Sequence, residues 1–191
     1  MVTIRHERPS DVPARETLLD RAFGEARFAK TCERLRVGRL PAAGLSLVAT
    51  DDGRVVGTVR LWHISTGFDR PALLLGPLAV DPECRSRGIG AALMNRAIAE
   101  ARRRGHRIIL LVGDEPYYAK FGFSAAATGR LSLPGPYEAH RLLGLALQDA
   151  PLATELGEGL VRATGRAAAR LADGTGAVPS RRRKAGLSHA A

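Results

Sequence analysis

Three observations predict a single α/β (α+β) domain built on a mixed, mostly antiparallel sheet. The apolar run Leu73 to Val80 has strand length and leads through Arg85-Ser86-Arg87-Gly88-Ile89-Gly90 into a helical pattern. A second apolar run, Arg107 to Gly113, follows that helix, and a right-handed crossover sets it parallel to the first. Asp51-Asp52-Gly53-Arg54 joins two further strand-like runs and is a strong hairpin signal, which makes that pair antiparallel. At 191 residues, 45% of them hydrophobic and 25% charged, the chain can bury a core of its own.

Taken in order, Val2 to Glu7 alternates as a first strand, and Pro9-Ser10-Asp11 offers an N-cap to a helix reaching about Phe23. Phe28, Cys32 and Leu35 recur at helical spacing and predict a second helix from about Ala26 to Val37, with its apolar stripe in the core. Arg27 and Arg36, just outside those positions, read as a solvated face. Leu45 to Thr50 and Val55 to Ile64 are the hairpin strands, and residues 65–71 a loop. Gly76-Pro77 interrupts the next apolar run and predicts a strand that is buried but bulged. From Ile89 a helix carries Leu93, Ala97 and Ala101 on one stripe and stops at Gly105. A short helix from about Pro116 to Phe121 is followed by a final antiparallel pair, Phe123 to Leu133 with Arg141 to Gln148, around Pro134-Gly135-Pro136.

The glycine loop is where chemistry is expected. The first N–H groups of a helix have no partner inside it and bind anions. Gly88 and Gly90 permit a close backbone approach or φ > 0, and Arg85 and Arg87 add positive charge. A P-loop would need Gly-Lys-Ser/Thr, and a dinucleotide loop a third glycine where Leu93 stands.

Arg-x-x-Gly-x-Gly after Leu-Ala-Val-Asp-Pro, followed downstream by Tyr118-Ala119-Lys120-Phe121-Gly122-Phe123, resembles the GNAT superfamily of acetyl-CoA-dependent N-acetyltransferases. The wording Leu-Gly-Pro-Leu-Ala-Val and Gly-Asp-x-x-Tyr-Tyr is similar to its YhbS-like branch, and the resemblance covers roughly residues 3 to 149. It implies splayed parallel middle strands with the thioester arm of acetyl-CoA in the gap. Backbone groups of Leu78, Ala79 and Val80 would bond that arm, and the loop Arg85, Ser86, Arg87, Gly88, Ile89, Gly90 and Ala91 would hold the pyrophosphate. Tyr118 aligns with the superfamily's general acid, since a phenol with pKa near 10 can protonate a departing thiolate; Tyr117 is the lesser candidate. Glu138, His140, His63 and Asp114 are alternative bases, as is a water chain. Cys84, inside the phosphate loop, is misplaced for an acyl-cysteine, so direct attack on acetyl-CoA is expected.

The implied activity is transfer of an acetyl group from acetyl-CoA to a primary amine, on a small molecule or a protein, without a metal. Cys32 and Cys84 make no metal-ligand spacing and no disulfide framework. No run of about 18 apolar residues is present, so no membrane partner is expected and a cytoplasmic enzyme is the default. The net charge of +10 divides into +6 for the body and +4 for residues 151–191. That body favours polyanionic ligands such as CoA, and no nucleic-acid motif accompanies the arginines. The alternatives are a non-catalytic CoA-binding sensor and an RNA- or ribosome-associated basic protein; proteins of this resemblance are commonly homodimers. The transferase domain is expected over 1–150, a C-terminal helix over 151–172 and a basic, disordered tail over 173–191.

Overall fold

The computed structural model describes residues 1–67, 69–149 and 151–168. Its main sheet is formed by β1 (Val2–His6), β2 (Ser46–Asp51), β3 (Arg54–Thr66), β4 (Arg70–Val80), β5 (Ile108–Val112) and β7 (Leu142–Ala146), in that spatial order. A short β9 (Arg162–Ala163) is added against the end of β3. All the neighbouring pairs are antiparallel except β4 with β5. The helices are α1 (Val12–Phe23), α2 (Thr31–Arg34), α3 (Ile89–Arg103), α4 (Glu115–Tyr118) and α5 (Leu152–Glu155).

Both faces of the sheet are covered, which is why its central strands read as continuous apolar runs instead of alternating ones. Leu61, Leu73, Ile109 and Leu111 point to one face, where Leu93, Met94 and Ala97 of α3 close over them. Trp62, Leu74 and Leu110 point to the other, under Leu35, Leu131, Leu156 and Val161. Leu18 and Leu19 of α1 pack on Val48, Val55 and Ala79.

The bulge expected at Gly76-Pro77 is present: Val59 pairs with Leu78 and Leu61 with Leu75, so two residues of β4 face one of β3. Trp62 donates its indole N–H to the Gly76 carbonyl at 2.8 Å, satisfying one of the groups the bulge removes from the ladder. β4 and β5 share only the pairs Leu73 with Ile109 and Leu74 with Leu110. Beyond Leu74 the two strands part, and from Leu75 to Val80 one edge of β4 carries no strand among the described residues.

Three sequence expectations fail locally. The helix expected over 26–37 is a 3₁₀ turn at Glu25–Ala29 followed by the four-residue α2. Lys30 between them is extended, and the segment is fastened to the 134–136 turn, with Thr31 donating through Oγ1 to the Pro136 carbonyl and Arg34 to that of Pro134. Phe28, assigned to the core stripe, is 59% exposed. The last antiparallel pair is also different. β7 lies on β5, and of residues 123–133 only the bridge Ser124 to Gly144 and β6 (Leu131–Ser132) are extended, because Thr128 turns the chain, donating to the carbonyls of Ala125 and Leu142.

Of the helix expected over 151–172, the described residues, which end at 168, form only α5. After it the chain extends as β8 (Gly159–Leu160), parallel to β6, and then β9. Leu156 and Val161 are buried under the sheet, so hydrophobic burial draws this segment into the domain past residue 150. It also holds the loop after α2: Leu40 N–H donates to Arg166 O, Ala168 N–H to Gly38 O, and the Arg39 guanidinium to Gly165 O. The expected tail over 173–191 lies outside the described residues.

Candidate active site

Where β4 and β5 part, a cleft of about 720 Å³ opens. Its floor is the gap itself, with Leu75 to Leu78 on one side and Leu111 to Gly113 on the other. One wall is the segment around α2, including Arg27, Lys30, Glu33 and Arg36. The second carries Asp114, Tyr118, Glu138 and Arg141. Of the residues expected here from sequence, the structure thus brings together Leu78, Tyr118, Asp114 and Glu138.

Tyr118 is set by close packing. Its ring lies against Gly113, where any Cβ would come within 2.2 Å of Cε2, and it meets Tyr117 and Phe123 edge-on. Burial pushes its phenol up to about 12, with Tyr117 and Asp114 adding smaller effects in the same direction. Tyr118 is therefore protonated throughout the neutral and moderately alkaline range. Tyr117 faces the other way, and burial raises its phenol too.

The glycine loop stands at the end of β4. Asp81, buried, accepts from Glu83 N–H and faces the Arg21 and Arg54 guanidiniums, which fixes the turn out of the strand. Ser86 and Gly88 both take positive φ, 63° and 75°, and Gly88 is the N-cap of α3 with no side chain capping it. Among the described residues the helix's opening amides have no side-chain cap, the arrangement that receives an anion. The two glycines do different work. Gly88 supplies the left-handed turn and has no atom within 4 Å of where a Cβ would be, whereas Gly90 has an ordinary φ and makes room for a neighbour, the Tyr117 hydroxyl.

Arg87, expected to lend charge to the loop, donates to Asp51 at 2.8 Å, and the N-terminal ammonium holds the same carboxylate at 3.1 Å. Arg87 lowers the Asp51 carboxyl most, and the ammonium adds to it. The same guanidinium lies 3.6 Å from Cys84 Sγ.

His63 does not line the cleft; its ring lies against His106, with centroids 5.5 Å apart. His140 is largely exposed and stands 3.6 Å from Glu138. Arg27 and Arg36, read as solvated, belong to the site. The sequence did contain a signal for Arg36: it stands four residues after Cys32, on the same apolar stripe. Cys84 is buried beside the Arg54 and Arg87 guanidiniums and outside the cleft. Cys32 lines the cleft, where burial raises its thiol. Among the described residues no cluster of side chains could hold a metal ion, and no helix is long and apolar enough to cross a membrane.

The pattern of the acetyltransferase (GNAT) family matches residues 11–123, more than half of the chain. The chain belongs to the GNAT family. The GNAT protein it resembles at 34% identity over 151 residues is the uncharacterized N-acetyltransferase YhbS of Escherichia coli (strain K12), with 75% of this chain and 89% of that protein covered. The crystal structure of Escherichia coli YhbS in complex with CoA shares this GNAT fold with a TM-score of 0.71 at 32% identity, covering 85% of this chain and 89% of that one. A GNAT acetyltransferase from Brucella melitensis, solved in complex with acetyl-CoA, matches with a TM-score of 0.64 at 27% identity over 86% of this chain and 96% of that one.

Proposed function

We propose that this GNAT protein transfers the acetyl group of acetyl-CoA to a primary amine by direct attack. The observation that carries the proposal is the bare edge of β4 from Leu75 to Val80, which opens into the Tyr118 cleft at one end and runs to the uncapped start of α3 at the other. A long ligand with a diphosphate and an amide-bearing arm fits both features, and relatives of this chain have been crystallised with CoA and acetyl-CoA.

In this reading acetyl-CoA supplies an activated thioester. Backbone groups of Leu78, Ala79 and Val80 hydrogen-bond the arm as a neighbouring strand would and orient the carbonyl. The amides of Arg87 to Ala91 hold the diphosphate, with Ser86 and Gly88 shaping the turn and Arg85 adding charge. Tyr118 gives its hydroxyl proton to the sulfur as the C–S bond breaks and the N–C bond forms. Glu138 takes the amine's proton: it stands 4.0 Å from Arg141 and 3.6 Å from His140, a looser hold than the 3.1 Å pair of Asp114 with Arg141. Neither cysteine is placed to carry the acetyl group, Cys84 for its position and Cys32 for its protonated thiol.

Calorimetric titration of the protein with acetyl-CoA tests the binding half. Micromolar affinity supports it, and absence of binding by folded protein overturns it. Intact-mass measurement without acceptor tests the direct route, which an acetylated protein would contradict.

A further inference from the structure

We infer that the amine acceptor carries a carboxylate, held by Arg36, so that the protein acts on small amino acids and their relatives and not on simple amines. This rests on the transferase reading above and names the substrate class of the same cleft.

Arg36 is buried, at 8% exposure, yet lines the cleft. A guanidinium presents five N–H donors. Among the described residues its only ion pair is with Glu33, 3.2 Å from Nη2, and its Nε has no hydrogen-bond partner. A buried guanidinium nitrogen left without a partner is unfavourable unless a ligand or water completes it. Burial pushes the group's pKa down, but an arginine stays charged.

Its position says which part of the ligand it meets. Nη1 comes within 3.8 Å of where a Cβ on Gly76 would stand, at the bulge where β4 leaves β5. An oxyanion bonded there lies beside the floor of the gap, in the same cleft that Tyr118 lines. Of the other basic groups lining the cleft, Arg27 is engaged by Glu16 at 2.6 Å and Asp20 at 2.9 Å, Arg141 is engaged by Asp114 at 3.1 Å, and Lys30 stands 4.7 Å from the ring centre of Phe23.

The second wall has the complementary charge for the other end. Asp114 and Glu138 flank Tyr118's side of the cleft with one guanidinium, Arg141, which sits 3.1 Å from Asp114 and 4.0 Å from Glu138; the surplus carboxylate suits an ammonium before it loses its proton. A cleft of about 720 Å³ that must also take the end of the cosubstrate suits a compact acceptor. Opposite charges on its two ends match a zwitterion.

The test compares acids with their amides. Glycine, β-alanine, γ-aminobutyrate and the common α-amino acids, each beside its primary amide, are assayed for CoA thiol release and titrated into the CoA-loaded protein. Trp62, the single tryptophan, reports binding by fluorescence, because its indole is bonded to Gly76. We expect at least one acid to be preferred over its amide by about tenfold or more in kcat/KM or in affinity, and the preference to vanish in Arg36→Gln while acetyl-CoA affinity stays within about twofold. Equal use of acids and amides by the native protein overturns the inference, as does discrimination that survives in Arg36→Gln. The native comparison decides even where the variant does not fold. Acetyl-CoA binding without binding or acetylation of any acid also overturns it and leaves the transferase reading standing. Failure to bind acetyl-CoA overturns that reading instead, and titration of Trp62 with the acids then decides the Arg36 site alone.

Discussion

The Tyr117 hydroxyl oxygen lies 3.0 Å from the point that a Cβ on Gly90 would occupy, with Val80 Cγ2 3.5 Å from it on another side. An aromatic residue of α4 thereby touches the first turn of α3, and a side chain at residue 90 is opposed by space, not by backbone conformation. Gly90→Val should push Tyr117 off the loop and lower acetyl-CoA affinity by about tenfold, ~1.4 kcal/mol, while Tyr117→Ala in the same background should recover part of the loss. Calorimetry on the three proteins checks this.

Gly88→Ala should act differently. Nothing obstructs a methyl there, but φ of 75° strains any L-residue, at a cost of about 1 kcal/mol. The melting temperature should fall, and it should fall by the same amount with and without acetyl-CoA if the loop keeps its shape.

Tyr118→Phe separates the enzyme from a CoA-binding sensor. Turnover should drop by about 10² to 10⁴ while acetyl-CoA affinity changes less than about twofold. Because the phenol titrates only at about 12, the native rate should show no alkaline loss from this group below that region. A pH–rate profile that falls near pH 10 in the native protein alone would contradict the assignment.

Asp11 tests a purely structural pair. Its carboxylate accepts two bonds from Arg5, at 2.6 and 2.8 Å, and one from Arg8 N–H, and the Arg5 bonds chiefly hold its pKa at about 2. A depressed acid stabilises the fold above its unfolded pKa, and the contribution is lost as pH falls through the folded value. Asp11→Asn should therefore cost about 1 kcal/mol at neutral pH, after allowance for the partly exposed Arg5, and the difference from native should shrink between about pH 4 and 2. Urea titrations across that range would show it.

The C-terminal segment gives a further contrast. Ending the chain at residue 168 should leave acetyl-CoA binding unchanged. Ending it at 158 removes β8, β9 and the bonds from residues 165–168 to Gly38, Arg39 and Leu40, and should speed amide hydrogen exchange through 35–40 beside Arg36.

What could be read from the sequence was local. Asp52-Gly53 announced the β2–β3 hairpin, Gly76-Pro77 the bulge, and Gly88 to Gly105 the bounds of α3, because each feature is dictated by residues within a few positions. The failures were tertiary. Nothing near Thr31 tells that Pro136 will accept its hydroxyl proton, and so the broken helix around Lys30 was read as continuous. The stretch expected as a helix over 151–172 is instead drawn, from Leu156 to Val161, onto the open face of the sheet by the burial of those two side chains. Arg36 was misassigned for the same reason, since the cleft that buries it is made by strands far along the chain.

The two-rung seam between β4 and β5 has a mechanical meaning. It divides the main sheet into a four-strand plate, β1 to β4, and a two-strand plate, β5 and β7, joined by the pairs at Leu73 and Leu74 and by the crossover α3. Such a joint is compliant along the line where the plates meet, and a ligand laid into it acts as a keel that stiffens both. Occupancy should be legible as rigidity: filling the gap should slow hydrogen exchange on both plates together, well beyond the residues it touches.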